Sequence, residues 1–302
     1  MLDEPPHTVE TKPSSFLAVE AADPLFAVPE PSYTQLELKD LQKTAPWVSK
    51  ARLMAGRIAL AIAAIAFWEY VSVSQDLKFW IGSPSGVVET MTEWWSTPGF
   101  LWLHISTTLQ SMVFGLVFGS LVGIALGLLL GLIRPLGRLL DPFIMAINSL
   151  PKIALAPMFV LWFGIGIQMR TILVATICFF LVFINTYAGV LDRNQELIEV
   201  MQVMGAQRRH LIMKLVIPGS LSYIVIGLKL AIPYALTGAV FAEIIASNRG
   251  IGYLLMRAAG QFDTSGLFAA LGILMLLAVL LNAGLNRGSD RFLRWKIAGA
   301  QS

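Results

Sequence analysis

Six predominantly apolar runs, at 53–73, 107–133, 142–163, 171–191, 221–245 and 267–285, constrain this chain more than any other feature. A hydrocarbon core about 30 Å thick requires roughly 20 helical residues at about 1.5 Å each, so each run predicts a membrane-spanning helix. The expected fold class is all-α, a polytopic membrane protein with six transmembrane helices. Composition agrees: 56% of residues are hydrophobic, 14% are charged and the mean hydropathy is +0.70, whereas a soluble domain is about half apolar and about a quarter charged. The lone Cys178, inside an apolar run, excludes an internal disulfide framework and a cysteine-based zinc site. His7, His104 and His210 are too scattered for a metal cluster. The net charge of +3 comes from cations beside apolar segments, not from a continuous basic stripe. A lipid surface, and no nucleic acid, is therefore expected.

Six spans put both ends on one side, and basic residues decide which. Lys43, Lys50, Arg52 and Arg57 flank the first run, and Arg134 and Arg138 follow the second. Arg193, Arg208, Arg209 and Lys214 follow the fourth; Arg287, Arg291, Arg294 and Lys296 follow the sixth. The opposite segments hold only Lys78, Arg170, Arg249 and Arg257. The positive-inside rule then places both termini in the cytoplasm. Trp80, Trp94, Trp95 and Trp102, between the first two runs, suit either the headgroup level or core packing.

Residues 1–50 carry Pro5, Pro6, Pro13, Pro24, Pro29, Pro31 and Pro46 among eight acidic residues, with no early apolar stretch behind a basic start. They read as a disordered cytoplasmic tail rather than a signal peptide, ahead of a membrane domain over 51–302. In the second run, Gly115, Gly119, Gly123, Gly127 and Gly131 recur every four residues and strip one helical face of side chains. Such a face lets another helix approach closely; a glycine-lined substrate path is the alternative.

Between the fourth and fifth runs, residues 192–220 are too polar to span and too periodic for a slack loop. Leu197, Val200 or Met201, and Met204 form one apolar helical face, with Glu196, Glu199 and Gln202 off it. Gly205 can stop this helix in a left-handed conformation, and residues 206–216 predict a second helix that Pro218 ends or bends. The apolar face needs a protein partner, unless the helix lies on the bilayer surface.

Glu199, Val200 and Met201, then Gly205 after three residues, then Leu215, Val216, Ile217 and Pro218 after nine more, resemble the EAA loop of permease subunits of ATP-binding-cassette importers. Val200 and Met201 stand where that pattern has two alanines. Asn148 to Lys152, Leu161 to Gly166, Asn185 to Val190 and Ala242 to Tyr253 are similar to the nitrate, sulfonate, taurine and bicarbonate branch, so the likeness spans roughly residues 55 to 295. It implies a type I importer permease fold in a bacterial cytoplasmic (inner) membrane. The implied partners are a second copy, two ATPase subunits that bind the ATP and magnesium, and a periplasmic or lipid-anchored substrate-binding protein. It also implies that the loop couples to the ATPase through Glu199, Val200, Met201, Gly205 and Ala206, with Pro218 setting the angle into the fifth span.

No G-x-x-x-x-G-K-[ST] loop, G-x-S-x-G elbow or H-E-x-x-H pair occurs, so a transport subunit without its own ATPase or hydrolase chemistry is expected. Ionisable groups within spans are the pathway candidates, because hydrocarbon tolerates them only beside a cavity or partner. They are Lys152 just after Pro151 and Lys229 ahead of Pro233, with Asn185 and Gln110 as neutral polar groups. Two lysines favour an anion; snorkelling or structural pairing is the other reading of each. Glu243 is expected to pair with Arg249, cap the following loop, or gate the outer side. An ion-gradient secondary transporter would show inverted repeats, and none is evident. A membrane scaffold without transport is the third class.

Overall fold

The computed structural model describes residues 50–73, 75–192 and 195–299. The tail expected over 1–50 lies outside the described residues apart from Lys50, as do Arg193 and the side chains of Arg287, Arg291, Arg294 and Lys296. The chain divides into units Met1–Ala64 and Ile65–Ser302, and α1 (Lys50–Val71) crosses the division. Helices α2 (Gln75–Ile81), α3 (Pro84–Ser96), α4 (Phe100–Leu132) and α5 (Arg134–Ser149) come next. After a 3-10 turn (Lys152–Leu155) come α6 (Ala156–Phe163), α7 (Ile167–Leu191), α8 (Gln195–Val203) and α9 (Arg208–Leu211). A π turn (Ile212–Val216) leads into α10 (Ile217–Ala246), then α11 (Ile251–Gly260) and α12 (Thr264–Gly299). The described residues contain no strand.

Among the described residues five helical stretches are long and apolar enough to cross a membrane, and a sixth span exists if α5 and Lys152–Phe163 count together. This corrects the continuous third helix expected over 142–163: that pair is bent by 82°. Pro151 is the cause, because a residue before proline is pushed out of the helical region. Leu150 has φ −68 and ψ 137 accordingly. The second span is longer than its apolar run. It starts beyond Gly99, whose φ of +75 suits glycine, and its 33 residues add the turn that carries His104.

The core lies where α4 packs along α7 and α7 along α10, around Met112, Val174, Cys178, Val182, Ala235 and Ala239. The glycine face of α4 makes this possible. A Cβ at Gly123 would sit 2.9 Å from the Phe179 carbonyl oxygen, at Gly127 2.7 Å from Thr186 Cβ, and at Gly131 2.6 Å from Val190 Cβ. At Gly119 it would overlap the Ala175 backbone. These glycines are filled by another helix and line no path.

The last turns of α1 are tied to the end of α2 and the start of α3. Trp68 Nε1 donates to the Ile81 carbonyl at 3.1 Å, Ser72 Oγ donates to the Gly82 carbonyl at 2.7 Å, and Glu69 accepts from Ser85 N and Oγ. The core-packing reading of the tryptophans holds for one of the four. Trp80, Trp95 and Trp102 are exposed, whereas Trp94 packs with Phe100 in a cluster built on Ile251 and Leu254.

Candidate functional site

The loop between α7 and α10 is a built structure. Helix α8 ends in a Schellman turn: Gly205, at φ +79, donates N–H to the Gln202 carbonyl, and Ala206 N–H donates to the Met201 carbonyl, both at 2.9 Å. Ile198 turns inward and is 9% exposed, while Leu197, Val200, Val203 and Met204 are 49%, 56%, 89% and 81% exposed. The apolar face read from the sequence is the outward one, with Val203 widening it. Glu199 is exposed on the same helix. Behind the loop, a cavity of about 390 Å³ is lined by Arg134, Gln202, Ala206 and Arg208 above Leu132 and Val216.

Pro218 acts differently from expectation. It neither ends nor sharply bends a helix over 206–216; helicity starts at Arg208 and passes through a π turn straight into α10. Ala206 therefore belongs to the turn, not to the second helix. Ile217 N–H donates to the Ile212 carbonyl, five residues back. Widening the helix just before a residue with no N–H lets the chain run on past the proline.

At the break in the third span, Lys152 reaches back to the end of α5. Its ammonium donates to the Asn148 carbonyl and, at 2.8 Å, to Asn148 Oδ1, and lies 4.9 Å from the centre of the Phe180 ring. A cation on the last carbonyls of a helix is a favourable C-terminal partner. Lys152 also lines a cavity of about 250 Å³ with Ile153, Ile177, Leu181, Tyr234 and Thr237. The other pathway candidates do not gather there. Gln110 is exposed on α4 and Lys229 is half-buried on α10. Asn185 donates to the Leu181 carbonyl at 2.8 Å and packs against Gly227, a helix contact.

Glu243 is 1% exposed, in a cluster that joins four helices. Its Oε2 accepts from Thr108 Oγ1 at 3.0 Å and from Gly252 N–H at 2.9 Å, and Thr108 Oγ1 accepts from Ile251 N–H at 3.0 Å. Gly250 N donates to His104 Nδ1 at 3.0 Å. Arg170 donates to Ser247 Oγ at 2.6 Å and to the Arg249 carbonyl at 3.3 Å. Glu243 thus caps the start of α11, as one of the sequence readings held. The pairing with Arg249 is corrected: among the described residues no ion pair joins them, because Arg249 is exposed and contributes its backbone. Gly250 has φ +111, and a Cβ there would overlap the Glu243 carboxylate. Sequence reasoning missed His104, Thr108 and Arg170 as a site. The available signal was the glycine register itself, since Gly115 minus seven and minus eleven gives Thr108 and His104 on the same face.

Residues 115–295 match the family described as binding-protein-dependent transport system inner membrane component. The formylaminopyrimidine transport permease protein ThiX of Halalkalibacterium halodurans is 32% identical over 232 residues, 77% of this chain and 92% of its own length. The putative aliphatic sulfonates transport permease protein SsuC of Escherichia coli K12 is 34% identical over 263 residues, covering 86% and 95%. In fold, a chain of the inward-facing MetNI methionine ABC transporter superposes with a TM-score of 0.55 at 20% identity, over 64% of this chain and 96% of that chain. With the family matched over most of the helical domain and two relatives aligned almost end to end, the chain belongs to the binding-protein-dependent transport system inner membrane components, the permease subunits of ATP-binding-cassette importers.

Proposed function

We propose that this permease is the membrane-spanning half of an ATP-driven importer for a small anion, working as a homodimer with two ATPase subunits and a substrate-binding protein. Its place is the bacterial inner membrane with both termini cytoplasmic. ATP and magnesium belong to the partner ATPase. The observation that carries this reading is the outward apolar face of α8, Leu197, Val200, Val203 and Met204, held rigid by the turn at Gly205. An exposed apolar patch on a helix that its own turn fixes in place is a docking surface.

In this reading Glu199, Val200 and Met201 lie at or beside the ATPase contact, and Gly205 and Ala206 form the turn that keeps α8 at a fixed angle. The π turn and Pro218 transmit its motion to α10. Lys152, with Lys229, Gln110 and Asn185 as further candidates, gives the pathway its preference for anions, and the cluster around Glu243 holds the outer reversal between α10 and α11. A sulfonate relative supports the anion class, and ThiX shows that related permeases carry the names of heterocyclic substrates too.

The test is coexpression with an affinity-tagged candidate ATPase. The native chain is expected to copurify, and Val203→Asp with Met204→Asp to abolish copurification while the permease keeps its yield and its elution as a folded species. Copurification that survives both charges would remove the coupling role from this face.

A further inference from the structure

We propose that the cavity beside the break in the third span is a membrane-embedded substrate site for an organic anion with a flat or apolar body, not for a hydrated inorganic oxyanion. This rests on the importer reading above and narrows its substrate class.

The break itself points to a site. Backbone that leaves the helix at membrane depth is tolerated only where it is buried in protein or lines a cavity that supplies partners, and discontinuous helices mark binding sites in other transporters. Here Leu150 and Pro151 are exposed and the chain turns by 82° beside the cavity. No carboxylate faces its charge, because none of the nine lining residues is acidic and Lys152 is the one cation among them. An ammonium has three N–H donors; two go to the Asn148 carbonyl and Oδ1 and the group lies over the Phe180 ring, so an anion would be held by its charge or by replacing one of these contacts.

The walls decide the class. Ile153, Ile177, Leu181 and the rings of Phe180 and Tyr234 supply apolar surface, and the Thr237 hydroxyl is spent on the Pro233 carbonyl at 3.0 Å. Beyond the Lys152 ammonium, the Asn148 amide and the Tyr234 hydroxyl are the donors on offer. A nitrate or bicarbonate stripped of water meets these few donors with the same three oxygens as a sulfonate head, and has no apolar body to offset that cost. An anion with one charged end needs only that end satisfied, while its body gains from leaving water. The ring of Tyr234, 54% exposed, suits a planar body.

The experiment uses the whole complex, permease with its ATPase in lipid nanodiscs without binding protein, and benzenesulfonate as the probe. Direct binding is measured by titration calorimetry, with sodium nitrate as competitor. Benzenesulfonate is expected to bind, and a tenfold excess of nitrate not to displace it. Lys152→Met is expected to weaken binding by about tenfold or more, and Lys152→Arg by much less. Because Lys152 also caps α5, Thr237→Phe supplies an independent variant that fills the cavity mouth without touching the cap, and it too should weaken binding by about tenfold or more. Equal competition by nitrate, or binding unaltered by both Lys152→Met and Thr237→Phe, overturns the proposal. Copurification of the ATPase is scored in the same preparation, so failure of the importer reading shows as a missing subunit and failure of this one as a missing binding signal.

Discussion

Glu243 shows how one buried side chain can determine a backbone path. The chain reverses between α10 and α11 over Ser247, Asn248, Arg249 and Gly250, and the N–H groups that open α11 point at Glu243 Oε2 and Thr108 Oγ1. Replacing Glu243 by Ala leaves the buried Gly252 N–H without its acceptor, at about 1–3 kcal/mol, while the Thr108 hydroxyl can still donate to the His104 carbonyl. Glu243→Gln keeps an acceptor oxygen and should lose less. The expected order of thermal midpoints for the purified permease is therefore native, then Gln, then Ala; equal midpoints for Gln and Ala would show that the acceptor oxygen does not hold the reversal. Half of this site was legible in the sequence. Glu243 within an apolar run advertised a partner, but His104 and Thr108 come from more than a hundred residues away. Polar residues also end an apolar window, so the span reading began at Thr107, just inside the helix turn that matters.

At the scale of elements, periodicity carried further than hydropathy. The four-residue glycine spacing in α4 foretold a close helix contact, and α7 fills it; Gly119→Leu would drive a side chain into the Ala175 backbone. Where backbone blocks the new atoms, repacking cannot relieve the overlap, so the cost exceeds the about 1–3 kcal/mol typical of overpacked cores. Gly119→Leu should give no folded permease in detergent, whereas Gly56→Leu, with open space around it, should purify at native yield. Hydropathy fixes how long a span is but not whether it is continuous, which is why the bend at Leu150 escaped the apolar-run reading while Pro151 was in plain view. The π turn was less legible still. Nothing in Ile212–Val216 distinguishes bonding five residues back from four; the local demand is that of Pro218, which has no N–H to donate, although α10 passes Pro233 as ordinary helix. Pro218→Ala restores the missing donor and relaxes that demand. It should allow an ordinary helical turn to form, rotating α8 relative to α10. The expected result is an ATPase that still copurifies but no longer responds to loaded binding protein, read as basal and stimulated hydrolysis in nanodiscs.

For the whole molecule, orientation follows from charge. Leu161, Trp162, Ile165, Phe118 and Leu121 are exposed apolar residues of a kind that a lipid phase or a second copy would cover. The ends of the helical bundle differ instead in basic residues. Arg134, Arg138, Arg208, Arg209 and Lys214 belong to the end that carries α8, which the positive-inside rule assigns to the cytoplasm. The ends that carry Thr97 and Met204 should then lie on opposite sides of the membrane, and the cysteine content makes this directly testable. Cys178 is the chain's one cysteine and is 0% exposed, so it is silent toward a bulky reagent. Thr97→Cys and Met204→Cys each introduce a thiol at an exposed position, one before α4 and one at the end of α8. In intact cells that express the permease without its ATPase, a membrane-impermeant maleimide should label Thr97→Cys at once and Met204→Cys only after permeabilisation. The opposite pattern would invert the molecule, placing the apolar face of α8 where no ATPase could reach it, and the coupling reading would fall with the orientation.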